Sequence, residues 1–280
     1  EHVTQLLLRL AHDPDNCVAI AKAGAIQRLV VQLRGGGRTS VKGQELAAAV
    51  LSHLSALDEC IKGIAAANGI RPLVMMLSSG TPPAQAYAAA VISNMARAGA
   101  RNQKQIISEG GINPLVALLS KENRAKTKAE AAGALLCLAA GSPPTQKAVT
   151  EAGAIKPLVA LLIEEDDHAR KKAAGAIAAL ASGSPENQDA VEKNKGIGKL
   201  VGLLKPNMHD EVNAESAAAL AVLAKDHPKN QDKVAAAGGI EPLVALLKGS
   251  GNVHSKEEAA SALWSLSSQH YANQVAIADA

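Results

Sequence analysis

Residues 109–119 read EGGINPLVALL, and close copies stand at 151–162 (EAGAIKPLVALL) and 237–247 (AGGIEPLVALL). Weaker copies begin at residues 23, 68 and 194. A second marker, an Asn-Gln pair, keeps the same spacing at 102, 187, 230 and 273, with Thr145-Gln146 filling the gap. Two independent markers with one period indicate a repeat array, in which neighbouring units must stack because no single unit buries its apolar face alone. The isoleucines of the six copies lie 42 to 44 residues apart, at Ile26, Ile70, Ile112, Ile155, Ile197 and Ile240.

Each period predicts three helices. In the fourth copy, 145–153 is a short helix that ends at Gly153, a residue able to take positive φ just past a helix. Pro157 fits the first turn of the second helix, where its missing N–H is not needed. The third and longest helix spans 169–183, with apolar residues on one face and Gly183 at its end. Abundant alanine with 1% aromatic residues favours closely packed helices over a β-sandwich.

The sequence therefore predicts one array over residues 1–280, with small departures in the first two repeats. GGGRTS at 35–40 lengthens one loop, and Pro82-Pro83 opens a third helix. The partial units at both ends predict either a piece of a longer array or atypical caps. The predicted divisions are a partial third helix (1–12), six repeats (13–57, 58–99, 100–141, 142–183, 184–226 and 227–270) and a partial first helix (271–280).

This three-helix period, with G-x-I-x-P-L-V-x-L-L followed by an alanine- and leucine-rich helix, resembles the armadillo repeat family over essentially the whole chain. The resemblance implies a right-handed α-α superhelix whose third helices line a concave groove for extended partner peptides. Importin-α-type members carry a Trp and, four residues on, an Asn on each third helix. Here only Asn94 matches the Asn position, no residue matches the Trp position, and we expect Trp264 in the core. The ladder that reads nuclear localisation signals is therefore absent.

Two groups of residues are candidates for contacts with a partner in this groove. Asn94 is expected to bond to a partner's backbone and Arg97 to an acidic side chain, with His53 one repeat earlier. At the start of the third helices, Lys171 and Lys172 predict a groove with a basic centre and an acidic end. Glu130 and Glu215 stand at comparable positions and are included in the predicted site.

Several classes of function lack support in the sequence. The net charge of +3 and the scarcity of aromatic residues argue against a nucleic-acid binder. No apolar run reaches the length of a membrane span, and three widely spaced cysteines favour a reducing compartment. GGGRTSVKG lacks the Lys-Ser order of a phosphate loop, and no histidine pattern has zinc spacing. We expect no metal, cofactor or small-molecule substrate.

With a regular repeat and no catalytic constellation, the sequence predicts a non-enzymatic scaffold that binds an extended peptide or a helix of another protein. The alternatives are the substrate-recruiting array of a larger protein such as a U-box-type ubiquitin ligase, a nuclear transport adaptor, a structural tether, or an engineered consensus-like array. A cytoplasmic location, with or without a nuclear pool, is the matching expectation.

Overall fold

The computed structural model describes residues 1–35 and 39–280, and within these ranges every regular element is a helix. The chain divides into two compact units, Glu1–Leu138 and Ala139–Ala280. The predicted loop at 35–40 includes residues 36–38, which lie outside the described residues. The all-α fold class, with three helices per repeat, is confirmed.

The first unit repeats the order first, second and third helix, after an initial third helix. Each second helix carries the Gly-Ile phrase, and each third helix is rich in alanine. The first helices are α2 (Pro14–Lys22), α5 (Asp58–Ala66) and α8 (Ala100–Ser108); the second helices are α3 (Ala25–Leu33), α6 (Ile70–Ser79) and α9 (Ile112–Leu118); the third helices are α1 (His2–Leu10), α4 (Val41–Leu54), α7 (Pro82–Arg97) and α10 (Ala125–Ala139).

The second unit continues the same order and ends on a first helix. Its first helices are α11 (Pro143–Glu151), α14 (Pro185–Lys193), α17 (Pro228–Ala236) and α20 (Tyr271–Asp279); its second helices are α12 (Ile155–Leu161), α15 (Gly196–Leu203) and α18 (Ile240–Lys248); its third helices are α13 (Asp167–Ala181), α16 (Asp210–Ala224) and α19 (Val253–Ser267). Its core is built from buried leucine and isoleucine with many alanines, whose small side chains let the third helices approach closely.

The Gly-Gly of the deciding phrase ends the first helix and turns the chain into the second. Gly110 has φ +77°, and its N–H donates to the carbonyl of Ile107 at 2.9 Å. The N–H of Gly111 donates to the carbonyl of Ile106, also at 2.9 Å. This pair of bonds is a Schellman motif, which satisfies carbonyls that a helix end otherwise leaves without partners. The phrase recurs because every repeat needs this turn.

The Asn-Gln marker ties third helices together through their last carbonyl groups. In the second unit, Asn230 Nδ2 donates to the carbonyl of Leu223 in the preceding third helix at 2.9 Å. Gln231 Nε2 donates forward to the carbonyls of Ser265 (2.9 Å) and Ser268 (3.1 Å) in the next third helix. Because both side chains are buried, the marker joins one repeat to the next inside the unit.

The predicted start of α7 holds, whereas α13 begins at Asp167, two residues before the predicted 169. Pro82 and Pro83 occupy the first two positions of α7, where Thr81 accepts a hydrogen bond from the N–H of Ala84. The side chain of Asp166 caps α13 by accepting the N–H of Ala169 at 2.7 Å. A side-chain oxygen at this position satisfies a backbone donor that the first turn cannot pair internally.

Candidate functional site

In each unit, third helices lie side by side and form what we call the third-helix face of that unit. In the first unit α1 packs on α4 and α4 on α7, and in the second unit α13 packs on α16 and α16 on α19. Exposed side chains of several repeats are therefore brought onto one surface within each unit. This is the arrangement that a scaffold needs to contact several residues of a bound segment.

On the third-helix face of the first unit, Asn94 and Arg97 lie together. Asn94 Nδ2 donates to Oγ of the buried Ser55 at 2.9 Å, which links α7 to the end of α4. Arg97 Nη2 donates to Asn94 Oδ1 at 2.7 Å. The Asn94 amide thus already has one donor and its acceptor engaged within the protein. The groups left for a partner's backbone are its second N–H and the second lone pair of Oδ1.

His53 has a different neighbour. Its ring meets that of His12 edge-on, with centroids 4.6 Å apart. Burial lowers the pKa of His53, and the nearby His12 and Lys126 lower it further because they disfavour a second positive charge. Lys126 itself lies with its Nζ 5.7 Å from the centroid of the Tyr87 ring. The ring contact of His53 is therefore with His12, which follows α1.

On the third-helix face of the second unit, Lys171 pairs with a residue that the sequence did not single out. Lys171 Nζ lies 2.7 Å from Glu211 Oε2, which joins α13 to α16. This hydrogen bond, followed by the lysine's charge, lowers the pKa of Glu211. Lys171 and Glu211 are 40 residues apart, slightly less than one repeat. That spacing, with opposite charges at its two ends, is the sequence signal that could have revealed the pair. Glu130 lies on α10 in the first unit.

Glu215 is the half-buried carboxylate of the same cluster. Burial raises its pKa, and the charge of Lys171 opposes this shift. His254 and Lys172 also oppose it, whereas Glu258 adds to it. Lys171, Lys172 and Glu215 are therefore neighbours, together with the imidazole of His254 and the carboxylate of Glu258 from one further third helix, α19. Lysines and carboxylates therefore stand side by side on this surface.

The expected burial of Trp264 is wrong, since 67% of this side chain is exposed. Its helix α19 turns Leu263 and Leu266 into the core. Trp264 instead shares an exposed stripe with Glu257 and Ser261, at the helical spacing i, i+4 and i+7. The prediction rested on the equivalence of this position to Leu136 in an earlier repeat. The side of α19 that packs on the core decides the outcome.

Trp264 borders a cleft of about 520 Å³, which we call the indole cleft. Small side chains, among them Ser261 and Ala221, line much of it, and Lys225 and Asp226 bring both charges to it. Gln188 lines the cleft as well and is held by donating to the carbonyl of Val222 at 2.8 Å. An indole beside small residues leaves room for a bulky or flat side chain from another molecule.

The described ranges, 1–35 and 39–280, contain no group of three or more His, Cys, Asp or Glu residues arranged to hold a metal ion. In the same ranges no single helix is long and apolar enough to cross a membrane. Helices α5 and α6 satisfy that test only as a pair, with a bend of 89° between them.

The armadillo/beta-catenin-like repeat matches residues 99–140, 142–182 and 227–268. No curated protein matches the chain significantly. Among solved structures, the chain is similar to the crystal structure of an engineered protein, at 34% identity and a TM-score of 0.85. That match covers 99% of this chain and 66% of the engineered one, so this chain spans 66% of that protein's length.

Two designed proteins extend the comparison. The designed armadillo repeat protein YIII(Dq)4CqI is 28% identical, with a TM-score of 0.75 over 86% of this chain and 99% of its own. The designed armadillo repeat protein YIII(Dq.V1)4CPAF, in complex with peptide (KR)4, is 27% identical, with a TM-score of 0.73 over the same shares of both chains. With its hinge, three-helix repeats and third-helix faces, the chain belongs to the armadillo repeat family.

Proposed function

We propose that this chain is a non-enzymatic scaffold that holds an extended segment of another protein along the third-helix face of the second unit. The exposed Trp264 at the indole cleft carries the proposal. An exposed indole is costly to leave in water and typical of binding surfaces, where aromatic residues contribute much of the affinity. The similar designed protein in complex with peptide (KR)4 supports a peptide as the ligand.

The face is mixed in charge, and its carboxylates are the groups that would bind basic side chains of a segment. Glu215 and Glu258 come from α16 and α19, and Asp226 lies at the indole cleft itself. The flat face of an indole attracts an ammonium or guanidinium group by about 0.5–2 kcal/mol, depending on how far both are removed from water. A lysine or arginine that lies on Trp264 would therefore find an aromatic surface and a carboxylate together.

The test is the affinity of a fluorescein-labelled (Lys-Arg)4 peptide, measured by fluorescence anisotropy. We expect Trp264→Ala to weaken binding by roughly tenfold, in keeping with the loss of a central aromatic contact. Tyr271→Ala is the matched control, because Tyr271 is also an exposed aromatic residue of the second unit, at 80% exposure, but lies outside the indole cleft. Equal affinity of the wild-type and Trp264→Ala chains would refute the proposal.

The predicted contacts in the first unit stay predictions. Arg97→Ala is the informative change there, since it frees Asn94 Oδ1 and tests whether either residue contributes to binding. A (Lys-Arg)4 affinity that depends on Trp264 and not on Arg97 would place the bound segment on the second unit alone.

A further inference from the structure

Each unit also carries a cleft on the side of its second helices, at the same repeat positions. The cleft of the first unit, about 650 Å³, is lined by the residues that follow α3, begin α4 and form one side of α6. The cleft of the second unit, about 500 Å³, is lined by the corresponding parts of α15, α16 and α18. We call them the first and second lateral clefts. Both are of a size common among binding pockets.

The two lateral clefts share a basic residue eight positions after the repeat isoleucine, Arg34 and Lys205, but differ in charge at two other equivalent positions. Arg71 follows the repeat isoleucine in the first cleft, where Glu241 follows it in the second. Val41 in the first cleft corresponds to Asp210 in the second. The units differ in the same direction. Lys and Arg outnumber Asp and Glu by 15 to 9 in residues 1–138, but are outnumbered by 17 to 14 in residues 139–280.

The first lateral cleft combines exposed apolar side chains with two guanidinium groups. Met75 is 61% exposed and Val41 63% exposed. Arg34 Nη2 donates to the carbonyl of Ala67 at 3.3 Å, which orients this guanidinium beside the cleft. Arg71 Nε lies 3.9 Å from Glu109 Oε2, and 75% of the Arg71 side chain is exposed. Such a long, solvated ion pair contributes little and yields readily to a better partner.

These features select one kind of occupant. A guanidinium binds a carboxylate through two parallel hydrogen bonds, so a carboxylate suits the arginines of the cleft. An apolar side chain of the same occupant would cover Met75, whose flexible thioether adapts to varied shapes. The cleft is open, with its apolar wall more than half exposed. A small molecule in its preferred sites buries most of its own surface, so a chain segment lying across the cleft fits the openness better.

We propose that the first lateral cleft is a second docking site, separate from the third-helix face, for a protein segment in which acidic and large apolar residues alternate. Arg34 and Arg71 bind its carboxylates, and Met75 with Val41 contacts its apolar side chains. The second lateral cleft, with Glu241 in place of arginine, does not take this segment.

The test uses a short fluorescein-labelled peptide of alternating leucine and glutamate, with a leucine–lysine peptide of equal length as its counterpart. Anisotropy is measured with the full chain. We expect the leucine–glutamate peptide to bind, and Arg71→Glu to weaken it by roughly tenfold or more, since a charge-assisted bond becomes a repulsion. Met75→Glu, a second exposed change in the cleft, should weaken it likewise. Unchanged circular dichroism melting curves show that both variants fold.

Two variants outside the cleft separate this proposal from peptide binding at Trp264. Glu241→Arg reverses a charge at the equivalent position of the second lateral cleft, and Trp264→Ala removes the indole. Both should leave the affinity for the leucine–glutamate peptide within about twofold of the wild-type value. The proposal is overturned if the peptide fails to bind, binds Arg71→Glu as well as wild type, or loses its affinity in Trp264→Ala. Equal affinity for the leucine–lysine peptide also overturns it. So does displacement of the leucine–glutamate peptide by decanoate, which carries one carboxylate and one apolar chain but no peptide backbone.

Discussion

Replacing Gln231 with alanine removes the side chain that joins two neighbouring repeats of the second unit. Gln231 is 3% exposed, and its Nε2 donates to the carbonyls of Ser265 and Ser268, which lie 34 and 37 residues further along. A buried acceptor left without its partner costs about 1–3 kcal/mol. Because the first of these carbonyls belongs to a buried residue and the second to a partly exposed one, we expect Gln231→Ala to lower the free energy of unfolding by about 2–3 kcal/mol.

Gln274 supplies the matched control at the same repeat position. Its Nε2 donates to the carbonyl of Ser267 at 2.9 Å, but this bond is exposed to solvent. Water can replace it, so Gln274→Ala should cost less than about 0.5 kcal/mol. The assay is urea unfolding followed by circular dichroism and by the emission of Trp264 in α19. If Gln231→Ala and Gln274→Ala lose the same free energy of unfolding, the buried hydrogen bonds of Gln231 do not stabilise the contact between repeats, and the prediction is refuted.

Three further changes have expected directions. Lys195 has φ +61° at the repeat position where Gly238 has φ +73°, a left-handed conformation that strains a residue with a side chain. Lys195→Gly should therefore raise the free energy of unfolding by up to about 1 kcal/mol in urea titrations, whereas Gly238→Ala should lower it. A lower free energy of unfolding for Lys195→Gly would contradict backbone strain at Lys195. The pKa of His53 lies below its ordinary value of 6.5, so the folded state resists protonation of this ring. Stability that is present above pH 6.5 is therefore lost as the pH falls through the pKa of the folded state. The melting temperature should drop in mild acid, and it should drop less in His53→Gln. Burial raises the pKa of Glu215, so stability declines as the pH rises from its ordinary pKa of 4.5 through the pKa of the folded state. Thermal melts should show Glu215→Gln to be more stable than wild type at neutral pH and equal to wild type in strong acid. No gain in melting temperature at neutral pH would contradict the burial penalty.

The fold was predictable because its turns are local. Gly110 and Gly153 end their helices within a few residues, and no distant contact is needed to explain them. The function of the Asn-Gln marker was not predictable from one repeat alone, because Gln231 acts on a carbonyl in the next repeat. The spacing of the marker was visible, but its bonds required knowing which helix ends lie beside it.

The candidate site was only partly readable. Asn94 and Arg97 were predicted to bind a partner, and the structure shows that they also bond to each other, three residues apart on one helix. The pairing of Lys171 with Glu211 depends on how α13 packs on α16, and the exposure of Trp264 depends on which side of α19 faces the core. These two features need tertiary packing, which a repeat period does not specify by itself. The contact residues and the cytoplasmic location stay predictions.

The most direct test is the fluorescence of Trp264, because it is the only tryptophan of the chain and so reports on the indole cleft alone. Emission and quenching by acrylamide are measured for the folded chain with and without unlabelled (Lys-Arg)4 peptide. We predict an indole that acrylamide reaches freely in the unbound chain and that becomes protected, with a saturable change in emission, as peptide is added. An indole already shielded in the free chain, or equally accessible at saturating peptide, would contradict binding at this face.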